Sequence, residues 1–316
     1  MPEHKACREA YTEVLLELAE NDPDIIVISS DARGSCSLNT YVKTLPDQFV
    51  EIGIAEQNEI GVAAGLSVVG KKPYVCAPAC FLTARSLEQI KVDVAYSHQN
   101  VKILGVSGGI SYGALGASHH TLHDIATLRC IPDLAVIIPC DAIQTAAALQ
   151  AVSQTKNAVF FRIGREKVPV IYTAELGMKP FVFGKANMLK EGSDLTLVAC
   201  GELVYHALEA ATLLKTQGIE ARVLDMATLK PFDEEAIIKA ARETGAILTV
   251  EEHSINGGLG ATVSQIVCAN HPVPVSTLGL PDEYLVTGTS LELFSEYGLD
   301  AKGIAESARK LLQRKR

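Results

Sequence analysis

The chain has 316 residues, 48% of them hydrophobic, with a formal net charge of −9 and a pI near 5.4. That length and apolar content fit two domains of ordinary size, each able to bury a core. The acidic balance excludes the basic face of a nucleic-acid binder, the tail "ARKLLQRKR" reading as a solvated helix end, and no apolar run is long enough to span a bilayer.

The opening "MPEHKACREAY" lacks the apolar core of a signal peptide, so a cytoplasmic protein is expected. A helical pattern covers Cys7–Glu20. "DIIVISS", "FVEIG", "KPYVCA", "VKILGVS", "LAVIIP" and "AVFFRI" follow as strands, with helices at Ala55–Val69, Thr83–Tyr96 and Ala142–Gln154 between some of them. The strands are near-continuous apolar runs, as expected when both faces of a sheet are covered. Periodicity pauses over Arg165–Gly192, which reads as a linker. A second series then begins: "DLTLVACG", helix Leu203–Thr216, "GIEARVLDM", helix Asp233–Glu243, "GAILTVEEH", helix Leu259–Cys268, "PVSTLGL" and a last helix. The alternation predicts an α/β protein of two domains, each a mostly parallel sheet with helices on both faces. Eight cysteines are scattered without a CxxC pair and several sit in apolar runs, which reads as reduced, buried thiols.

In such sheets ligands bind where loops leave the C-terminal strand ends. Three polar loops gather there: "SSDARGSCS", "GIAEQ" and "SGGISYGALGASHH". In the second, Glu56 is a lone acid among Ile54, Ala55 and Ile60. Locally two readings stay open: a carboxylate at the positive end of a helix, or a carboxylate reserved for a ligand. The glycine loop is neither a dinucleotide fingerprint nor a Walker loop. It ends in His119 and His120, with His123 one turn on. His119 and His123 have metal-ligand spacing but no convincing third ligand, so a polar contact to substrate is the better reading and no metal site is expected.

Together, "DARGS", "GIAEQN", "FLTARSLEQI", "GALGASHHTLHDIATLR", "IPDLAVIIPCD", "FFRIGREKVPV", "VLDMATLKPFD" and "TVEEHSINGGLG" resemble the C-terminal half of the transketolase family of thiamine diphosphate enzymes, over nearly the whole chain. The resemblance implies a pyrimidine-binding domain over 1–166, a linker over 167–191 and a transketolase C-terminal domain over 192–316. It also implies that Glu56 pairs with the aminopyrimidine of the cofactor, that Phe81 is an aromatic beside that ring and that Asp31 lies near it. Arg8, Ser35 and Arg165 match the family's phosphate-binding positions, and His119 matches a histidine that contacts substrate hydroxyls. Arginine suits phosphate because its planar fork gives paired, charge-assisted hydrogen bonds.

The departures carry information. The family's acidic residue before the loop glycine is Leu115, one cofactor-stacking aromatic is replaced by Pro78, and a family histidine appears as Ser107. No GDG motif for the Mg²⁺-bound diphosphate occurs. The expectation is therefore the C-terminal subunit of a split transketolase, transferring a two-carbon ketol unit between sugar phosphates. Thiamine diphosphate is the cofactor, the Mg²⁺ ligands sit on an N-terminal-half partner, and the assembly is α2β2. Two rivals are the beta subunit of a 2-oxo-acid dehydrogenase and a non-catalytic partner that kept the fold.

Overall fold

The computed structural model describes residues 3–315. The chain forms two compact units. The first takes the residues up to Gly108 together with Thr127–Phe183; the second takes Gly109–Ala126 together with the residues from Gly184 on.

In the first unit, β1 (His4–Ala6) leads into α1 (Cys7–Glu20), β2 (Ile25–Ser29), α2 (Asn39–Thr44), β3 (Phe49–Glu51), α3 (Glu56–Val68), β4 (Lys72–Pro78) and α4 (Ala79–Arg85). A short α5 (Leu87–Gln89) runs into a π-helical segment, Ile90–Tyr96, before β5 (Lys102–Val106). After α6 (Asp124–Arg129) come β6 (Leu134–Ile137), α7 (Ala142–Ser153), β7 (Ala158–Ile163) and β8 (Lys167–Pro169). The strands lie in the order β6-β7-β5-β4-β2-β3, every neighbour parallel. Crossover helices account for that arrangement, since a parallel neighbour cannot be reached by a tight turn. β5 and β7 are buried at every position, which is why their sequences are unbroken apolar runs apart from Lys102 and Arg162. Each fully buried side chain the size of Phe160 or Leu104 contributes roughly 1.5–3 kcal/mol.

Two features depart from the sequence expectation. A single helix over Thr83–Tyr96 does not form: Ser86 takes φ −108° and ψ 24°, and its hydroxyl bonds back to the Leu82 carbonyl. A serine that satisfies a carbonyl with its own side chain competes with the helical ladder, and the chain resumes as a wider π turn. Within the stretch read as a linker the backbone also pairs. β8 runs antiparallel to β1, aligning His4 with Pro169 and Ala6 with Lys167.

The second unit contains β9 (Asn187–Lys190), β10 (Leu195–Ala199), α8 (Leu203–Lys215), β11 (Ala221–Asp225), the short β12 (Thr228–Lys230), α9 (Glu234–Thr244), β13 (Ile247–Ser254), α10 (Leu259–Asn270), β14 (Val275–Leu280), α11 (Ser290–Glu296) and α12 (Ala301–Leu312). Its sheet has the order β14-β13-β10-β11-β9, parallel except for the β11–β9 edge. Three of its helices start where short polar side chains stand: Asp233 caps α9, Asp300 caps α12, and Thr289 with Glu292 forms a reciprocal capping box on α11. No described helix is long and apolar enough to cross a membrane. All eight cysteines are free thiols, Cys130 and Cys268 exposed and the rest buried.

Candidate active site

Glu56 is the first residue of α3 and is only 4% exposed. Ala55 before it offers no side-chain cap, so the carboxylate stands at the positive end of the helix without a competing cap. Its Oε1 accepts a hydrogen bond from Arg85 Nη1 at 2.7 Å, and the Arg85 guanidinium lies 4.3 Å from the centre of the Phe81 ring. Glu56 and Phe81 thus belong to one cluster, joined by an arginine that sequence reasoning did not single out. The available signal was its spacing: Phe81 and Arg85 are four apart on α4 and so share a helix face.

One turn on, Glu59 is fully buried, and among the described residues neither of its oxygens makes a well-formed hydrogen bond, although the Ser30 hydroxyl lies beside it. Burial first, with the nearby Glu56 and Glu51 carboxylates adding to it, pushes its carboxyl up to about 8. Glu59 is therefore mostly a neutral acid at pH 7. Glu51 fastens two of the expected site loops: its Oε1 accepts from the backbone N–H of Asp31 at 2.7 Å and of Gly53 at 3.0 Å. Asp31 has φ 55° and keeps its side chain exposed at the C-terminal end of β2. Pro78 closes β4 and leads straight into α4.

Of the expected phosphate residues, Arg8 and Ser35 touch directly. Arg8 Nη1 donates to the Ser35 carbonyl oxygen at 3.2 Å. The guanidinium charges of Arg8 and Arg165 both reach the Cys36 thiol, where they oppose the strong upward push of burial on that group. Arg8 and Arg165 thus both act electrostatically on the loop residue that follows Ser35, and Arg165 Nε also lies 3.7 Å from Glu166 Oε1. Ser107, where the family has histidine, is buried at φ 61° with its hydroxyl unbonded among the described residues.

In the second unit, the glycine loop carries the other site residue. Gly116 has φ 72°, and a Cβ there would stand 3.0 Å from the Thr287 methyl; at Gly113 a Cβ would meet the Gly288 carbonyl oxygen at 2.4 Å. These two glycines let the loop lie against Thr287–Gly288. Leu115, between them, is 54% exposed. His119 Nδ1 is 2.9 Å from Ser118 Oγ and its ring meets Tyr112 edge-on at 5.4 Å. Burial, with the charge of His120 adding to it, holds His119 below the usual histidine range, so it is a neutral hydrogen-bonding ring at pH 7. His120 donates from Nε2 to the Gly113 carbonyl at 3.2 Å. A cavity of about 610 Å³ opens beside it, lined by Ala117, His120, His123, Ser254, Asp282 and Tyr284. Among the described residues no group of three or more His, Cys, Asp or Glu side chains is placed to hold a metal ion.

Comparison with known proteins points the same way. The model of the transketolase pyrimidine binding domain matches residues 3–170, and that of the transketolase C-terminal domain matches residues 184–304. A solved structure described as a split gene transketolase, inactive beta4 tetramer, aligns at a TM-score of 0.89 and 40% identity, covering 98% of this chain and 99% of that one. An apulose-4-phosphate transketolase subunit of Phocaeicola vulgatus is 56% identical over 303 residues, 96% of each chain. The 6-deoxy-6-sulfo-D-fructose transketolase subunit SqwH of Clostridium sp. (strain MSTE9) is 36% identical over 98% of this chain and 95% of its own.

Proposed function

Because the chain belongs to the transketolase family, spanning its pyrimidine-binding and C-terminal domains as a split-gene β chain does, we propose that it is the C-terminal subunit of a two-chain, thiamine diphosphate-dependent transketolase. Its donor is a branched ketose phosphate, apulose 4-phosphate, and its acceptor an aldose phosphate. The donor is taken from the name of the Phocaeicola vulgatus relative. Its C3 bears a hydroxyl and two oxymethyl groups and no hydrogen.

The observation that carries this reading is Leu115, a half-exposed leucine between the two loop glycines where the family has an acid. A leucine cannot accept the hydrogen bond that an acid would take from a sugar hydroxyl, and its apolar surface suits the methylene of a branch.

The cluster of Glu56 and Phe81 fits the aminopyrimidine end of the cofactor. A buried carboxylate at a helix start, bonded to a half-exposed arginine beside an aromatic face, matches a flat heteroaromatic base with a ring nitrogen. When bound, thiamine diphosphate supplies the carbanion at its thiazolium C2 that cleaves the ketose. Glu56 holds and returns the proton at the pyrimidine ring nitrogen, Phe81 lies against the ring and Asp31 is near it. Arg8, Ser35 and Arg165 hold the substrate phosphate, and His119 bonds to a substrate hydroxyl through its neutral ring. The Mg²⁺ ligands belong to the partner.

The test is a kinetic comparison of the assembled pair with apulose 4-phosphate, xylulose 5-phosphate and 2-oxo acids as donors. A preference for apulose 4-phosphate of about tenfold or more is expected, with Leu115→Asp moving it toward xylulose 5-phosphate. Equal use of the two sugars sinks the donor assignment. Turnover only with 2-oxo acids favours the dehydrogenase reading, and no turnover at all favours a non-catalytic partner.

A further inference from the structure

The glycine loop is bonded to the rest of the second unit at several points, and two of those bonds fall on one residue. Ile110 is fully buried. Its N–H donates to Glu252 Oε1 at 2.7 Å, and its carbonyl accepts from Ser290 Oγ at 3.1 Å. Further along, Gly288 N donates to the Gly113 carbonyl at 3.4 Å and Ser254 N to the Leu122 carbonyl at 3.1 Å. Thr121 N closes the loop on itself by donating to the Gly109 carbonyl at 2.7 Å.

Glu252 stands out among these partners. It is 7% exposed, so its carboxylate has lost most of its solvation, and one of its oxygens is engaged by a backbone amide of a loop 142 residues away in the chain. The neighbouring Glu251 shows a different use of a buried acid. Successive residues of a strand point to opposite faces, and Glu251 turns to the start of α10, accepting from Leu259 N at 2.7 Å and Gly260 N at 2.8 Å. That is a helix-terminus role. Glu252 instead fixes the entry of the segment that carries Leu115 and His119, nine residues before the histidine.

We propose that Glu252 is a positioning residue for ketol transfer: by accepting the Ile110 N–H it sets the course of residues 109–122 and, through it, the place of Leu115 and His119. The second domain therefore takes part in substrate recognition as well as in assembly. This rests on the reading of His119 as a substrate contact.

Two variants separate this from a purely structural role. Glu252→Gln keeps an oxygen that accepts from Ile110; Glu252→Ala leaves a buried N–H unpaired, a charge-assisted bond whose loss is large enough for about a tenfold effect. In hydrogen exchange on the full chain, Glu252→Ala speeds exchange over 109–122 about tenfold while α8 and α12 are unchanged. In the assembled enzyme, with apulose 4-phosphate as donor, it raises the donor KM and lowers kcat/KM about tenfold, with thiamine diphosphate affinity unchanged. Glu252→Gln restores both readouts to within about threefold, and Glu252→Ala adds little to His119→Ala. Unchanged loop exchange in Glu252→Ala, or equal damage from Glu252→Gln, overturns the proposal. If His119→Ala itself leaves kcat/KM intact, it is the reading of His119 that fails, and the exchange data still decide whether Glu252 anchors the loop.

Discussion

Glu56 and Glu59 stand one turn apart on α3, both nearly without solvent, and differ in what faces them. Glu56 faces an arginine that lies over an aromatic ring; Glu59 faces the interior, with the Ser30 hydroxyl beside it but no well-formed hydrogen bond among the described residues. A carboxyl raised to about 8 binds a proton in the folded chain that the unfolded chain, near 4.3, has already released. Between those pH values the native state holds more protons, so this group's contribution to stability is fully present below about 4.3 and is lost as pH rises through about 8. Glu59→Gln removes that loss. In urea unfolding at pH 5, 7 and 9 the variant should gain on the wild type as pH rises; a gap independent of pH means that Glu59 is solvated. Glu56→Gln should fold normally and lose at least about a hundredfold in turnover, because an amide cannot relay the ring-nitrogen proton. Near-normal turnover refutes the assignment. Arg165→Ala should raise the KM for phosphorylated donors by at least about tenfold and leave unphosphorylated ones nearly unchanged, since one charge-assisted pair is worth roughly 1.5–3 kcal/mol. Equal effects on the two substrate types remove Arg165 from the proposed phosphate contacts.

At the scale of elements, Asp141 illustrates how a loop end, a helix start and a distant segment share one side chain. It is fully buried, caps α7 by accepting from Gln144 N at 2.7 Å, and its second oxygen accepts from Ile171 N at 2.6 Å and Tyr172 N at 2.9 Å. Asp141→Ala loses a cap and strands the buried Tyr172 amide and the half-buried Ile171 amide, which should cost about 2 kcal/mol or more. A urea midpoint within error of the wild type contradicts this. The start of α7 at Ala142 was legible because aspartate before an apolar run is a cap signal; the bonds to 171 and 172 were not, since they join residues thirty apart in sequence. The same division holds elsewhere. The parallel strands and α1 follow from local apolar runs and periodicity. The break at Ser86, the β1–β8 ribbon and the Glu252–Ile110 bond depend on a side chain choosing one carbonyl, or on partners far apart in the chain. Glu56 could be found as an oddity, whereas the signal for Arg85, its four-residue spacing from Phe81, points nowhere until the partner carboxylate is known.

For the whole molecule, the question is how much of the cofactor this chain can hold. Thiamine diphosphate has an uncharged, stackable pyrimidine end and a diphosphate whose charge needs Mg²⁺ and oxygen ligands. The first unit offers the pyrimidine end a carboxylate in Glu56 and a ring in Phe81. Arg8 bonds to the Ser35 carbonyl, where a substrate phosphate is proposed to sit, and among the described residues no acidic or histidine cluster suits a metal. Most of the cofactor's charge would stay unmatched on this chain, so the pyrimidine contacts alone should give only weak affinity. The purified chain should therefore show no ketol transfer and no tight Mg²⁺-dependent binding of thiamine diphosphate. Adding a partner that carries the GDG motif should restore both, in an assembly of two copies of each chain by light scattering. On pairing, hydrogen exchange should slow in "SSDARGS", "GIAEQN" and "GALGASHH" while α12 changes little. Calorimetry decides: micromolar, Mg²⁺-dependent binding of thiamine diphosphate to the isolated chain would mean that the diphosphate site lies here after all, and the two-chain reading would fall.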